Sequence, residues 1–252
     1  MIPAERQKKM LSLLKSQEVI SISELVDLLD VSHMTIRRDI EKLESIGKVN
    51  SVSGGVQLAQ AIHSELSHDM KISQFSHEKE KIGHLAANAI TPNATIYLDA
   101  GTTALEIAHQ IIQRNDLLII TNDFVIATYL MTHSSNDIYH TGGKVDGANQ
   151  STVGAKVADF LLNMNIDIAF ISTSSWDMKG LSTPSEDKVV VKQAIAKSSK
   201  LVYLISDASK YGHIATFHAL DIEKVDFIIT DSLLPESVCS ELKEKDIIVL
   251  KA

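Results

Sequence analysis

The chain has 252 residues, 44% of them hydrophobic and 22% charged, with a formal net charge of −8. That composition suits a globular protein of one large domain, or a small domain plus a medium one, and argues against a partner held by bulk positive charge. A single cysteine, Cys239, excludes an internal disulfide and a cysteine-based zinc site.

The opening "MIPAERQKKMLSLLKS" lacks the apolar core of a signal peptide. No apolar run approaches the ~20 residues needed to cross a bilayer. A cytoplasmic protein with no membrane partner is therefore expected. Residues 1–60 hold eight Lys and Arg against eight Asp and Glu, so the remainder carries the whole negative excess.

Met10, Leu11, Leu13 and Leu14 make residues 4–16 a short amphipathic helix. Ser21 or Ser23 caps a second, with Ile22, Leu25, Val26, Leu28 and Leu29 on its apolar face. "DVS" turns into a third, capped by Ser32 and starting at His33. There Ile36, Ile40, Leu43 and Ile46 form the buried stripe, with His33, Arg37, Arg38 and Lys42 toward other faces and Gly47 as the C′ residue. "KVNSVSGGVQL" reads as a small hairpin around Gly54-Gly55.

Three short helices and a hairpin make a winged helix-turn-helix over residues 1–58, whose third helix enters a DNA major groove. Adjacent Arg37 and Arg38 diverge by about 100° on that helix. Either one reaches a base edge, or both grip phosphates on opposite sides of the groove. A solvated face with Arg37–Glu41 spacing is the plainer alternative. Candidate DNA contacts are Ser32, His33, Thr35, Arg37, Arg38 and Lys42.

Residues 59–80 are polar, rich in His and Ser, and read as a connector. His63, His68 and His77 match no metal-site spacing, so no metal is expected. From residue 81 to 252, apolar strands alternate with helices: "ATIYLD", "DLLIIT", "DIYHTGG", "IDIAFIST", "KLVYLIS", "DFIIT" and "DIIVL" are the strands. Such a pattern predicts a mainly parallel α/β sheet covered on both faces, with its ligand crevice outside the carboxyl ends of the strands.

At those ends stand Asp99 with Gly101-Thr102-Thr103, then Asn122, Gly142-Gly143, "STSSW" (172–176) and "SDASKYG" (206–212). Glycine before two hydroxyls at a helix N-terminus suits a phosphate, although neither a Walker loop nor a dinucleotide fingerprint is present. Small hydroxyl and glycine residues at five ends favour a pocket for a small polyhydroxylated anion. Lys210 either pairs with a phosphate as a point charge or lies on a solvated loop. Trp176 either walls a sugar or fills the core. Asp99, Asp207 and Lys210 could move a proton in a sugar isomerisation, but no local motif arranges a catalytic set. No catalytic residue and no cofactor are assigned.

The two ends of the chain together resemble the DeoR family of bacterial sugar-metabolism regulators over nearly the whole length. "VSHMTIRRDIEKLESIG" (31–47) follows the family's N-terminal signature, V-S-x-x-T-I-R-R-D-L-x-x-L-E-x-x-G. "LDAGTT", "TND", "TGG", "TVG" and "DASKYG" follow in the order of its sensor domain. That domain is similar to ribose-5-phosphate isomerase. The resemblance implies a homo-oligomeric repressor of a carbohydrate or sugar-acid operon, released from operator DNA by a phosphorylated sugar or sugar acid. Asp99, Gly101, Thr102, Thr103, Asn122, Gly142, Gly143 and Lys210 are the candidate effector-binding residues.

Two departures stand out. The family's wing carries an Arg and then "HGG" where this chain has Ser51 and Ser53 ahead of Gly54-Gly55. Many members have Gly-Ala-x-Gly-Ile where this chain has "STSSW". Two other classes stay open on the residues alone: a sugar-phosphate isomerase with an accessory head, and a constitutive DNA-binding scaffold.

Overall fold

A computed structural model describes residues 2–17, 19–45, 48–52, 55–58, 61–62 and 65–252. The chain divides into two compact units, residues 1–62 with 212–214 and residues 63–211 with 215–252.

In the first unit, helices Pro3–Leu14, Ile22–Leu29 and His33–Ser45 surround a core of Met10, Leu14, Ile20, Leu25, Leu29, Ile36, Ile40, Leu43, Val49 and Val56. The buried positions recur every three or four residues, as an amphipathic helix requires. Leu28, expected on the apolar face of the second helix, points to solvent instead. The hairpin is present as Val49–Val52 against Gly55–Leu58. A further strand, Val19–Ser21, joins its second member and completes a three-stranded antiparallel sheet. At Gly55 the strands press close, since a Cβ there would sit 2.7 Å from the Ile20 carbonyl oxygen. Ile46, Gly47, Ser53, Gly54 and His63 lie outside the described residues.

The second unit is built on a seven-stranded sheet, every neighbouring pair of which is parallel. Its spatial order is Ile248–Lys251, Phe227–Thr230, Ser199–Ile205, Ile166–Ile171, Thr95–Leu98, Leu118–Thr121, Asp137–His140. The chain begins at Thr95–Leu98, runs out to one edge, returns beside its starting strand as Ile166–Ile171, and runs out to the other. The order therefore reverses between Thr95–Leu98 and Ile166–Ile171, and that reversal is where an open parallel sheet leaves a crevice. Alternate residues feed two separate cores. Ile96, Leu98, Ile168 and Phe170 face one, while Tyr97, Ala169 and Ile171 face the other.

Of the polar 59–80 stretch, His68–Ile72 is a short helix, and the next helix, Ser76–Asn88, starts well before residue 81. Its polar first turn conceals the start from a reading of hydrophobic periodicity. The hairpin Lys144–Asp146 with Ser151–Val153, the antiparallel sheet Ser175–Asp177, Gly180–Thr183 and Phe217–Asp221, and the helix Glu236–Glu244 were not foreseen.

Helix Ser76–Asn88 packs against helix Thr102–Gln110 through Gly83. A Cβ at Gly83 would lie 2.5 Å from Glu106 Cβ and 2.8 Å from its carbonyl carbon. Gly83→Val should therefore force the helices apart and lower unfolding stability by about 2 kcal/mol. Denaturant titration at unchanged m-value checks this.

Candidate functional site

The third helix of the first unit begins where the sequence places it. Ser21 Oγ accepts the Glu24 N–H at 3.1 Å to cap the preceding helix. Asp30 ends that helix in the left-handed region, at φ +53°. Ser32 Oγ then accepts the Thr35 N–H at 3.3 Å and lies 2.9 Å from Thr35 Oγ1. Both hydroxyls thus start the helix. His33, Arg37, Arg38 and Lys42 project to solvent. Among the described residues, the Arg37–Glu41 pair that the spacing allows is not formed.

Asp39, the residue after the two arginines, turns inward. It accepts from Arg6 Nε, and from Gln7 Nε2 at 2.9 Å, binding the first helix to the third. Exposed Met34, one turn ahead of Arg37 and Arg38, adds an apolar group to the same surface and was not singled out. Ser51, standing where the family has Arg, gives its N–H and hydroxyl to the Glu44 carboxylate at 2.7 and 3.1 Å. It ties the wing to the helix.

In the second unit the sheet reversal brings Asp99, Gly101, Thr102, Thr103, Ser172 and Lys192 together. Asp99 is buried at the end of Thr95–Leu98. Its Oδ2 accepts the Ser172 N–H at 3.0 Å and Lys192 Nζ at 2.6 Å. Lys192 also donates to the Ser172 carbonyl oxygen at 2.6 Å. One carboxylate and one ammonium thereby lock the ends of the two strands that flank the reversal. Gly101, at φ +151°, opens helix Thr102–Gln110 with no side chain capping it. A Cβ at Gly101 would fall 2.9 Å from Ser172 Oγ, which is buried and has no hydrogen-bond partner. An uncapped helix N-terminus, a close backbone approach and an unsatisfied buried hydroxyl thus coincide.

Asn122 is a framework residue of this crevice. Its Oδ1 accepts from Tyr97 Oη at 2.7 Å and the Ala100 N–H at 3.0 Å, and its Nδ2 donates to the Thr152 carbonyl at 2.8 Å. Asp123 accepts the Gly101 N–H at 3.1 Å and caps the following helix through Val125 and Ile126. Burial pushes its carboxyl up from the ordinary range. Gly142 and Gly143 are exposed at the end of Asp137–His140, two strands out, and Gly142 reaches Asn122 through Thr141 with Thr152 and through His140. Lys210 stands past the end of Ser199–Ile205, one strand beyond Ile166–Ile171, 3.4 Å from Asp207. Burial would raise the Asp207 pKa, but Lys210 and Ser209 hold it below its usual value. Trp176 is fully buried in the core and donates to Ser206 Oγ at 3.1 Å, so it fills the core.

Lys192 was missed, and Ser172 lay inside the quoted STSSW stretch without being singled out. For Lys192 a signal existed: it shares a buried helical arc with Val191 and Ile195, where a solvated lysine does not belong. Among the described residues no His, Cys, Asp and Glu cluster could hold a metal. Nor is any of their helices long and apolar enough to cross a membrane.

Residues 6–61 match the DeoR-like helix-turn-helix domain, and residues 74–232 match the DeoR C-terminal sensor domain. The chain belongs to the DeoR family. An uncharacterized HTH-type transcriptional regulator of Haemophilus influenzae is 54% identical over 98% of this chain and 96% of its own. Escherichia coli YgbI, an uncharacterized HTH-type transcriptional regulator, is 49% identical over 100% and 99%. The glycerol-3-phosphate regulon repressor of Escherichia coli is 31% identical over 96% of both chains. A ribose 5-phosphate isomerase A from Methanocaldococcus jannaschii matches 55% of each chain at 15% identity and a TM-score of 0.41, a likeness too slight to carry function. This DeoR-family chain is thus a DNA-binding transcriptional regulator and not an enzyme, and proton transfer by Asp99, Asp207 and Lys210 is set aside.

One turn before Lys192, the same helix of the DeoR-family sensor unit carries Lys188. It pairs with Glu65, which also accepts Lys71 Nζ at 2.5 Å. Burial alone would raise the Glu65 carboxyl, yet Lys188 and Lys71 outweigh it and bring the pKa down to about 2. A carboxyl depressed in the fold stabilises above its unfolded value near 4.5 and loses that contribution as pH falls toward 2. Glu65→Gln should therefore cost about 3 kcal/mol at pH 7. Its deficit should shrink steadily between pH 5 and pH 2, as read by denaturant midpoints.

Proposed function

We propose that this regulator is a repressor of a carbohydrate or sugar-acid catabolic operon, released from operator DNA when a phosphorylated sugar or sugar acid occupies the crevice at the sheet reversal. The observation that carries the reading is the uncapped start of helix Thr102–Gln110, facing the unpartnered Ser172 hydroxyl across Gly101. Free N–H groups at a helix start favour a phosphate, and the flanking strand ends supply hydroxyls for a polyol. The 31% identical relative named for a glycerol-3-phosphate regulon supports a small phosphorylated effector, and a relative named as the repressor GlcR of Bacillus subtilis supports repression.

In this reading residues 1–58 bind DNA, 59–80 connect and 81–252 sense, in a cytoplasmic homo-oligomer whose paired heads meet paired half-sites. His33, Arg37, Arg38 and Lys42 face the DNA, with Ser32 and Thr35 placing the helix start against it. Asp99, Gly101, Thr102, Thr103, Asn122, Gly142, Gly143 and Lys210 form or frame the effector site. An effector releases DNA only by binding the DNA-incompetent arrangement more tightly.

A gel shift on the DNA upstream of the chain's own operon, at one fixed salt concentration and with a panel of sugar phosphates and sugar acids, tests this directly. One compound should abolish the shift. Arg37→Ala should weaken operator binding by ~1–3 kcal/mol and relax base preference if it reads a base. It should weaken all DNA alike if it holds a phosphate. A shift untouched by the panel, or an Arg37→Ala, Arg38→Ala double variant with full operator affinity, contradicts the reading.

A further inference from the structure

Helix His33–Ser45 buries one face made of Ile36, Asp39, Ile40 and Leu43. Successive residues turn by about 100° around an α-helix, so the directions of its other side chains follow from that face. Met34 lies roughly 170° from the centre of the face, on the midline of the outward surface. Arg37 stands about 60° to one side of that midline and Arg38 about 40° to the other. The two adjacent guanidiniums therefore straddle Met34.

Met34 is 59% exposed, and among the described residues it is the one large apolar side chain of this helix turned to solvent. A lone exposed apolar group is ordinary on a protein surface. The meaning here comes from its place. Ser32 and Thr35 fix the helix start, so Met34 is the second residue of the first turn. It is the N-terminal turn of such a helix that meets base edges in a major groove. The exposed arginines on either side match the charge of the phosphates that wall the groove. A thioether has no hydrogen-bond donor and only a weak acceptor, so Met34 does not choose a base by hydrogen bonding. Thymine alone among the four bases presents an apolar group in the major groove, its C5-methyl.

We propose that Met34 reads a thymine methyl in the operator, while Arg37 and Arg38 hold the phosphates on the two sides of it. The assignment rests on the reading that the third helix faces DNA. It gives the arginines the positioning role, and it gives base choice to a residue that carries no charge. Glu41 lies close to the same midline but about 10 Å further along the axis, so it meets a different base pair.

Duplexes selected from a random pool by the full-length chain test this. Each thymine of the selected site is replaced in turn by deoxyuridine, which lacks only the methyl, and affinity is measured at one fixed salt concentration. At one thymine the replacement should weaken wild type about fourfold, the worth of one buried methyl group. Met34→Ala should bind the thymine and deoxyuridine duplexes alike at that position, with its affinity for random DNA unchanged. Arg37→Ala should weaken selected and random duplexes to the same degree. Wild type indifferent to deoxyuridine at every thymine overturns the role of Met34. A deoxyuridine loss that is as large in Met34→Ala also overturns it, as does a base preference that Arg37→Ala relaxes and Met34→Ala keeps. In each of these cases the third helix still faces DNA if the Arg37→Ala, Arg38→Ala double variant loses binding. Full affinity in that double variant removes the helix reading and Met34 with it.

Discussion

The sensor unit depends on one buried ion pair. Asp99 and Lys192 meet at 2.6 Å at the point where the strand order reverses. Two charges taken out of water are stable only with good geometry and every remaining lone pair or proton satisfied. Here the Ser172 N–H and carbonyl oxygen supply the extra bonds. The pair fixes three things together: the end of Thr95–Leu98, the end of Ile166–Ile171 and the register of helix Glu186–Ser198. Because Asp99 is spent on this, it does not cap the helix that follows. Gly101 opens that helix with no side-chain cap.

The same device recurs in the DNA-binding unit. Asp39 is drawn inward by Arg6 and Gln7, and the Ser51 hydroxyl holds Glu44. Asp39 is thereby withdrawn from the exposed face that carries Arg37 and Arg38. Local arrangement thus does what net charge cannot, because the field at a DNA phosphate is set by charges within about a Debye length.

Much of this was legible in the sequence. Strand ends rich in Gly, Thr and Asp marked the crevice, because a parallel sheet puts its ligands there whatever the loop details. Caps at Ser21 and Ser32 were legible for a similar reason, since each is settled by residues three apart. What escaped notice depends on long-range packing. Lys192 looks like a solvated helix lysine until the partner elements are known, and Ser172 is one of several similar serines. Val19–Ser21 is too short to show an alternation of its own. Trp176 could wall a sugar or fill the core on sequence grounds, and only the antiparallel sheet around it settles the core. Leu28 shows the opposite error, an apolar residue in phase that stays 45% exposed.

The central claim is that the sheet reversal at Asp99 holds the effector. A crystal structure of the chain with the panel compound that stabilises it most would test this. The account predicts phosphate oxygens within about 3 Å of the Thr102 and Thr103 N–H groups and the Ser172 hydroxyl, with Asp99 and Lys192 still paired. A ligand bound elsewhere, with that helix start still open, would contradict it.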